Sequence, residues 1–211
     1  MRRRALCAGM SLLVACGAGT LALAHPHVFV DVDLSVEVTE DGAVRRLHQE
    51  WTFDDMYSAF AVQGLPGPRA MPGPEALARL AEEMMEKLDA VDYFTTASAP
   101  DQDLQAIGAE DARVALEDGR LRLSFSVGLR AIKGDPQEVN VRVFDPQYVV
   151  AITLKEPVRL IGPAHCRFTI IKPGALGEDE ARQLDDSRRT NQLSIDFGGK
   201  LASTVALSCV K

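Results

Sequence analysis

Between His27 and Val38 apolar and polar residues alternate, and this run constrains the fold more tightly than any other part of the chain. Val28, Val30, Val32, Leu34, Val36 and Val38 form one face. His27, Asp31, Asp33, Ser35 and Glu37 dominate the other, with Phe29 the one exception. A period of two marks a long half-buried strand. Asp41-Gly42 follows, a pair favoured in two-residue hairpin turns. The return strand, Val44 to Phe53, places Leu47, Trp51 and Phe53 on one face and Arg46, His48, Glu50 and Thr52 on the other. With Asp41-Gly42 as the turn, residue 40 pairs with 43 and partner numbers sum to 83. In that register the two apolar faces coincide, as do the two polar ones. Turn chemistry and hydrophobic pattern therefore agree on one pairing.

Downstream, Gly64 to Pro74 is rich in proline and glycine and reads as a loop. Pro74 opens a helix of about four turns, with Leu77, Leu80, Met84, Leu88 and Val91 recurring at helical spacing. Met84 and Met85 read as core filler and not as soft-metal ligands. Arg113–Leu116 and Arg120–Leu129 flank a second Asp-Gly turn, Asp118-Gly119. Further strands are expected at Glu138–Phe144, Tyr148–Leu154, Val158–Ile161, Arg167–Lys172, Leu193–Phe197 and Leu201–Val210, with a short acidic helix from Glu178 to Arg188. The class is α+β: a largely antiparallel β-sheet or sandwich with one amphipathic and one short acidic helix. No internal repeat or second composition regime divides the body of the chain.

Arg2-Arg3-Arg4, an apolar run from Ala5 through Val14, and Ala22-Leu23-Ala24 together read as a secretory signal peptide over residues 1–24. Cleavage after Ala24 makes His25 the first residue of a single exported domain, residues 25–211. Leu13-Val14-Ala15-Cys16-Gly17 is a rival, lipobox-like site. Acylation at Cys16 would leave His25 without a free amine. Cys7 and Cys16 depart with the signal. In an oxidising compartment the remaining Cys166 and Cys209 most simply form a disulfide, closing a loop of about 40 residues and contributing about 2–4 kcal/mol. A metal site using His165 and Cys166 is the weaker alternative, because adjacent strand residues point to opposite faces.

The chain carries 23 basic and 30 acidic residues, a net charge of −7. Removing residues 1–24 takes three arginines and no acid, leaving −10. Such a body disfavours nucleic acid and anionic membrane surfaces as partners and leaves cations open.

His25-Pro26-His27 is the sharpest chemical feature. A free amino-terminal histidine offers its amine and imidazole Nδ1 as a chelating pair, and His27 lies on the same side of an extended chain. Three nitrogen donors suit zinc, nickel or copper. Pro26 excludes the square-planar amino-terminal motif, which needs an ionisable amide at that position. A brace-like site completed from elsewhere remains. The hairpin register puts His27 opposite Met56 and Asp54 opposite Phe29, so Asp54 is a candidate ligand, with turn capping by Asp54-Asp55 as the rival role. His48 pairs with Ser35, about 27 Å from His27, and falls outside any such site. His48 and His165 read as structural or surface histidines. No G-x-S-x-G, H-E-x-x-H or phosphate-cradling glycine loop is present. No enzyme is expected, although a copper-dependent oxidase with an amino-terminal histidine brace remains chemically conceivable.

Four stretches taken together carry a resemblance. They are His25-Pro26-His27-Val28-Phe29-Val30-Asp31, Trp51-Thr52-Phe53-Asp54-Asp55-Met56-Tyr57-Ser58, Leu88–Thr95 ending in Asp92-Tyr93-Phe94-Thr95, and Phe144-Asp145-Pro146-Gln147-Tyr148-Val149-Val150-Ala151. With Cys209, the chain resembles the periplasmic domain-of-unknown-function one-thousand-seven family, often labelled as periplasmic components of ABC-type transport systems. The resemblance implies a periplasmic accessory protein of zinc, nickel or cobalt uptake that serves an inner-membrane metal permease and does not itself span the membrane after processing. It ranks His25, His27, Asp54 and Asp145 as metal-site candidates. The alternative is a non-metal interaction module docking on a membrane transport complex. Many members carry an acidic loop after the Phe-Asp-x-x-Tyr-Ser segment. Here Gly64 to Pro74 has no carboxylate, and a calcium-type site is not expected.

Overall fold

The computed structural model of the chain describes residues 26–66, 72–134, 136–162, 165–190, 193–194 and 196–209. The predicted signal segment and His25 lie outside the described residues. The leading hairpin is β1 (Val28–Val38) and β2 (Val44–Phe53). From Val30↔Phe53 to Glu37↔Arg46 every partner pair sums to 83, as the alternation requires. The turn itself differs from the two-residue form. Thr39 N–H donates to Ala43 O (2.9 Å), Gly42 takes a φ of 87°, and the register shifts at Val38↔Val44. A bulge at the turn absorbs one residue and leaves the facing of both strands intact. The second Asp-Gly pair does make the tight form, with Glu117↔Arg120 closing around Asp118 and Gly119, both at positive φ.

The remaining strands are β3 (Thr95–Ala99), β4 (Gln102–Glu117), β5 (Arg120–Ala131), β6 (Glu138–Val143), β7 (Val150–Leu154), β8 (Arg159–Ile161), β9 (Cys166–Ile171) and β10 (Thr204–Cys209). They form one ten-stranded sheet in the order β7-β1-β2-β5-β4-β3-β6-β10-β9, with β8 also pairing β1. β7 and β8 run parallel to β1; the other pairs are antiparallel. The helices are α1 (Asp55–Gln63), α2 (Pro74–Asp89), α3 (Glu178–Thr190) and α4 (Phe197–Leu201). The α+β class holds. One buried cluster takes the inward residues of β1, β2, β5 and β6 together with Met84 and Leu88 of α2.

Two expectations need correction, and one helix has no counterpart in the sequence reading. β4 starts at Gln102, well before Arg113, because bulges around Gly108 and Asp111, both at positive φ, break its alternation twice. α1 is a helix hidden in a short segment whose apolar residues lack a clean helical stripe. The expected strand Leu193–Phe197 does not form among its described residues: Phe197 opens α4, and Gly198 lies against the backbone of Asp145. A Cβ at Gly198 would sit 1.8 Å from the Asp145 carbonyl oxygen, so only glycine permits that approach.

Candidate functional site

The amino-terminal strand is fixed from both sides as it enters the sheet. On one side the Phe29 N–H donates to Asp54 Oδ2 (2.8 Å) and the Asp54 N–H donates to Phe29 O (3.0 Å). Asp54 is also the N-cap of α1, its Oδ1 accepting from Tyr57 N–H (2.8 Å). One carboxylate thus joins β1 to a helix start, where a negative group is favoured. Opposite, the His27 N–H donates to Val149 O (2.8 Å). The loop that offers this carbonyl is built on Asp145, whose Oδ1 accepts from Gln147 N–H (2.9 Å) and Oδ2 from Val149 (2.8 Å) and Val150 (2.9 Å). Asp145 is buried, at 6% exposure, and α4 closes it from below through Gly198 N–H to Pro146 O (3.0 Å). The structure therefore brings His27, Asp54 and Asp145 to one end of β1, with both carboxylates engaged by backbone donors. Among the described residues no group of three His, Cys, Asp or Glu is placed to hold a metal.

Beside this end lies an open cavity of about 590 Å³ between α1, α2 and the sheet. Its floor is Val28, Trp51, Phe53 and Val150; helix residues including Tyr57, Phe60 and Met84 form its walls. The rings follow one another: Tyr57 stacks on Phe53 (4.7 Å between centroids), Phe53 lies 6.2 Å from Trp51, and Phe94 runs nearly parallel to Trp51 at 6.3 Å. Burial pushes the Tyr57 hydroxyl up from its ordinary range. Phe94 reaches this place from a turn in which Asp92, Tyr93 and Phe94 take φ of 48°, 54° and 50°. Left-handed conformations cost non-glycine residues about 1–2 kcal/mol each. A buried chain holds the turn. Trp51 Nε1–H donates to Gln49 Oε1 (3.0 Å), Gln49 Nε2–H to Thr95 Oγ1 (2.9 Å), and Thr95 Oγ1–H to Tyr93 O (3.0 Å).

The described parts of all four stretches singled out in the sequence meet around this end of the sheet. The family described as "Protein of unknown function (DUF1007)" matches residues 10–209. The chain belongs to the DUF1007 family. No curated protein matches it.

In this DUF1007 protein the other candidates lie elsewhere. Cys166 and Cys209 form the expected disulfide, across the directly paired ends of β9 and β10. His165 is exposed beside it. His48 pairs with Ser35 as expected and bridges two further groups, Nδ1 to Ser126 Oγ (2.8 Å) and Nε2 to Glu37 Oε2 (3.0 Å). That carboxylate–imidazole–hydroxyl line has the order of a nucleophilic triad, yet Ser126 is only 6% exposed and sits mid-strand. The neighbouring backbone N–H groups serve the ladder, so no pair of donors faces an oxyanion. The line acts as a tie between β1, β2 and β5. Sequence reasoning missed the cavity. Its available signal was the sequence proximity of Trp51, Phe53, Tyr57 and Phe60 to an amphipathic helix with methionines.

Proposed function

We propose that this protein is a periplasmic accessory protein of transition-metal uptake, presenting zinc, nickel, cobalt or copper on its amino-terminal histidine segment to an inner-membrane permease. The observation that supports the reading is the two-sided hold on the strand entered by His25-Pro26-His27, through Asp54 and through the loop built on Asp145. A fixed backbone at His27 lets a freed His25, which lies outside the described residues, offer its amine and imidazole beside a second imidazole. Three nitrogen donors suit borderline metals, and a site short of a full protein ligand set exchanges its ion readily. In this reading Asp54 and Asp145 set the strand's position. The excess of acidic residues raises the cation concentration near the surface.

The test is titration of protein beginning at His25 with zinc, nickel and copper(II), beside a version carrying one extra amino-terminal residue. One-to-one binding, weakened roughly tenfold or more by the extension, is the expected result. Equal or absent binding in both sinks the amino-terminal site.

The second reading is a docking module without metal, favoured by Phe29, Met56 and Phe60, which are 53%, 70% and 72% exposed. Large apolar side chains gathered at one end of a molecule are a usual sign of a partner surface. Serine at all three positions should then abolish co-purification with the permease and leave metal affinity unchanged.

A further inference from the structure

We infer that the cavity between α1, α2 and the sheet is a binding site for a small amphiphile with an apolar body and a single carboxylate head. The inference is independent of the metal reading. Its volume, about 590 Å³, falls in the range of small-molecule sites, roughly 300–1,000 Å³. The floor is apolar and aromatic, and its rings are held in place by hydrogen bonds rather than by mutual packing alone. Trp51 is fixed through Gln49, and the same chain of donors ends on the left-handed turn that supplies Phe94. Backbone strain of this kind concentrates where a side chain must be presented to a ligand.

Polar groups at the cavity select the head. Lys87 is the cation among the lining residues and makes no ion pair with any described residue; the Gln63 amide is a second lining donor. The Tyr57 hydroxyl, also on the lining, has no hydrogen-bond partner among the described residues. Lys87 supplies the positive charge, and Gln63 and Tyr57, which donate as well as accept, add two further donors for an anionic head against the one carboxylate of Glu83. Glu83, one turn before Lys87 on α2, repels a second negative charge and so disfavours dianions such as phosphate monoesters. These lining groups fit a monocarboxylate with its tail on Trp51.

Trp51 is the single tryptophan of the chain, so its emission reports occupancy directly. The experiment titrates the protein with decanoate below its micelle-forming concentration, beside decanol and decyltrimethylammonium. A saturable one-to-one change with decanoate, at least tenfold tighter than with the other two, is expected. Lys87→Glu, at an exposed position, should weaken decanoate at least tenfold and reverse the preference for the cationic probe. Ala61→Phe, which fills the cavity, should abolish the response. No saturable response overturns the inference. Equal affinity for the three head groups, unmoved by Lys87→Glu, overturns it in favour of an apolar surface for a protein partner. Neither result bears on metal titration at His25, so the two readings fail separately.

Discussion

Asp54 and Asp145 illustrate how one residue type serves two ends. From the sequence alone a carboxylate beside a histidine pair reads equally well as a metal ligand or as a cap. In the fold, each has both oxygens on backbone N–H groups. Hydrogen bonds to a charged acceptor are worth about 1.5–3 kcal/mol each way they are lost, and a lost N-cap costs about 1 kcal/mol. Asp145→Asn should therefore lower unfolding stability by about 2 kcal/mol, and Asp54→Ala by about 1 kcal/mol or somewhat more, measured by urea denaturation. The same variants separate positioning from ligation. If the carboxylates only position the strand, zinc affinity falls less in either variant than in His27→Ala, which removes a nitrogen donor and should cost at least about tenfold. A loss in Asp54→Ala as large as that in His27→Ala, with an intact fold, would return that carboxylate to the ligand set.

At the scale of elements, the legible parts are those where two independent signals agree. The β1–β2 register could be read because the period of two and an Asp-Gly turn point to the same pairing, and it survives a bulge at Val38 that neither signal foretells. β4 was only partly legible because Gly108 and Asp111 interrupt its alternation, and α4 was illegible because Gly198-Gly199 reads as a helix breaker. The left-handed turn Asp92–Phe94 has no sequence signature at all: nothing in Asp-Tyr-Phe distinguishes it from an ordinary loop. Its stability depends on Tyr93, buried and donating its hydroxyl to Asp89. Burial, reinforced by that carboxylate, pushes the Tyr93 hydroxyl up to about 12 from an ordinary 10. The folded state favours the neutral phenol, so its contribution is complete below about pH 10 and is lost as pH rises toward 12, at up to about 1.4 kcal/mol per pH unit. Tyr93→Phe should be less stable than the natural chain at pH 7, with the gap closing between pH 10 and 12. A gap that stays constant over that window contradicts the coupling. Gln49→Leu tests the other support of the turn. It strands the Trp51 N–H and should cost about 1–3 kcal/mol, with a shift in Trp51 emission.

For the whole molecule, the sheet order places β1 near one side and β9–β10 at the other, and gives each its own fastening. Strand β1 is one in from the β7 edge, flanked by β2 and β7, and draws stability from the buried cluster. β9 stands at the far edge, with β10 its one strand partner among the described residues, and an edge strand with one neighbour frays unless something else holds it. The Cys166–Cys209 bridge holds it, joining directly paired residues that are 43 positions apart in the chain. A cross-link over that separation restricts the unfolded chain and contributes about 2–4 kcal/mol. Between the two half-cystines lie α3 and α4, and α4 is the element that seats Gly198 under Asp145. Loosening the β9–β10 edge should therefore be felt at the Asp145 loop and, through Val149, at His27. Cys166→Ser, Cys209→Ser and the double variant should each lose the same stability, about 2–4 kcal/mol, because each removes the same link. Hydrogen exchange should then quicken at the Val149 and Val150 amides more than at the centre of β5. Unequal losses, or faster exchange confined to β9, would separate the disulfide from the amino-terminal end and make it a local fastening of the sheet edge alone.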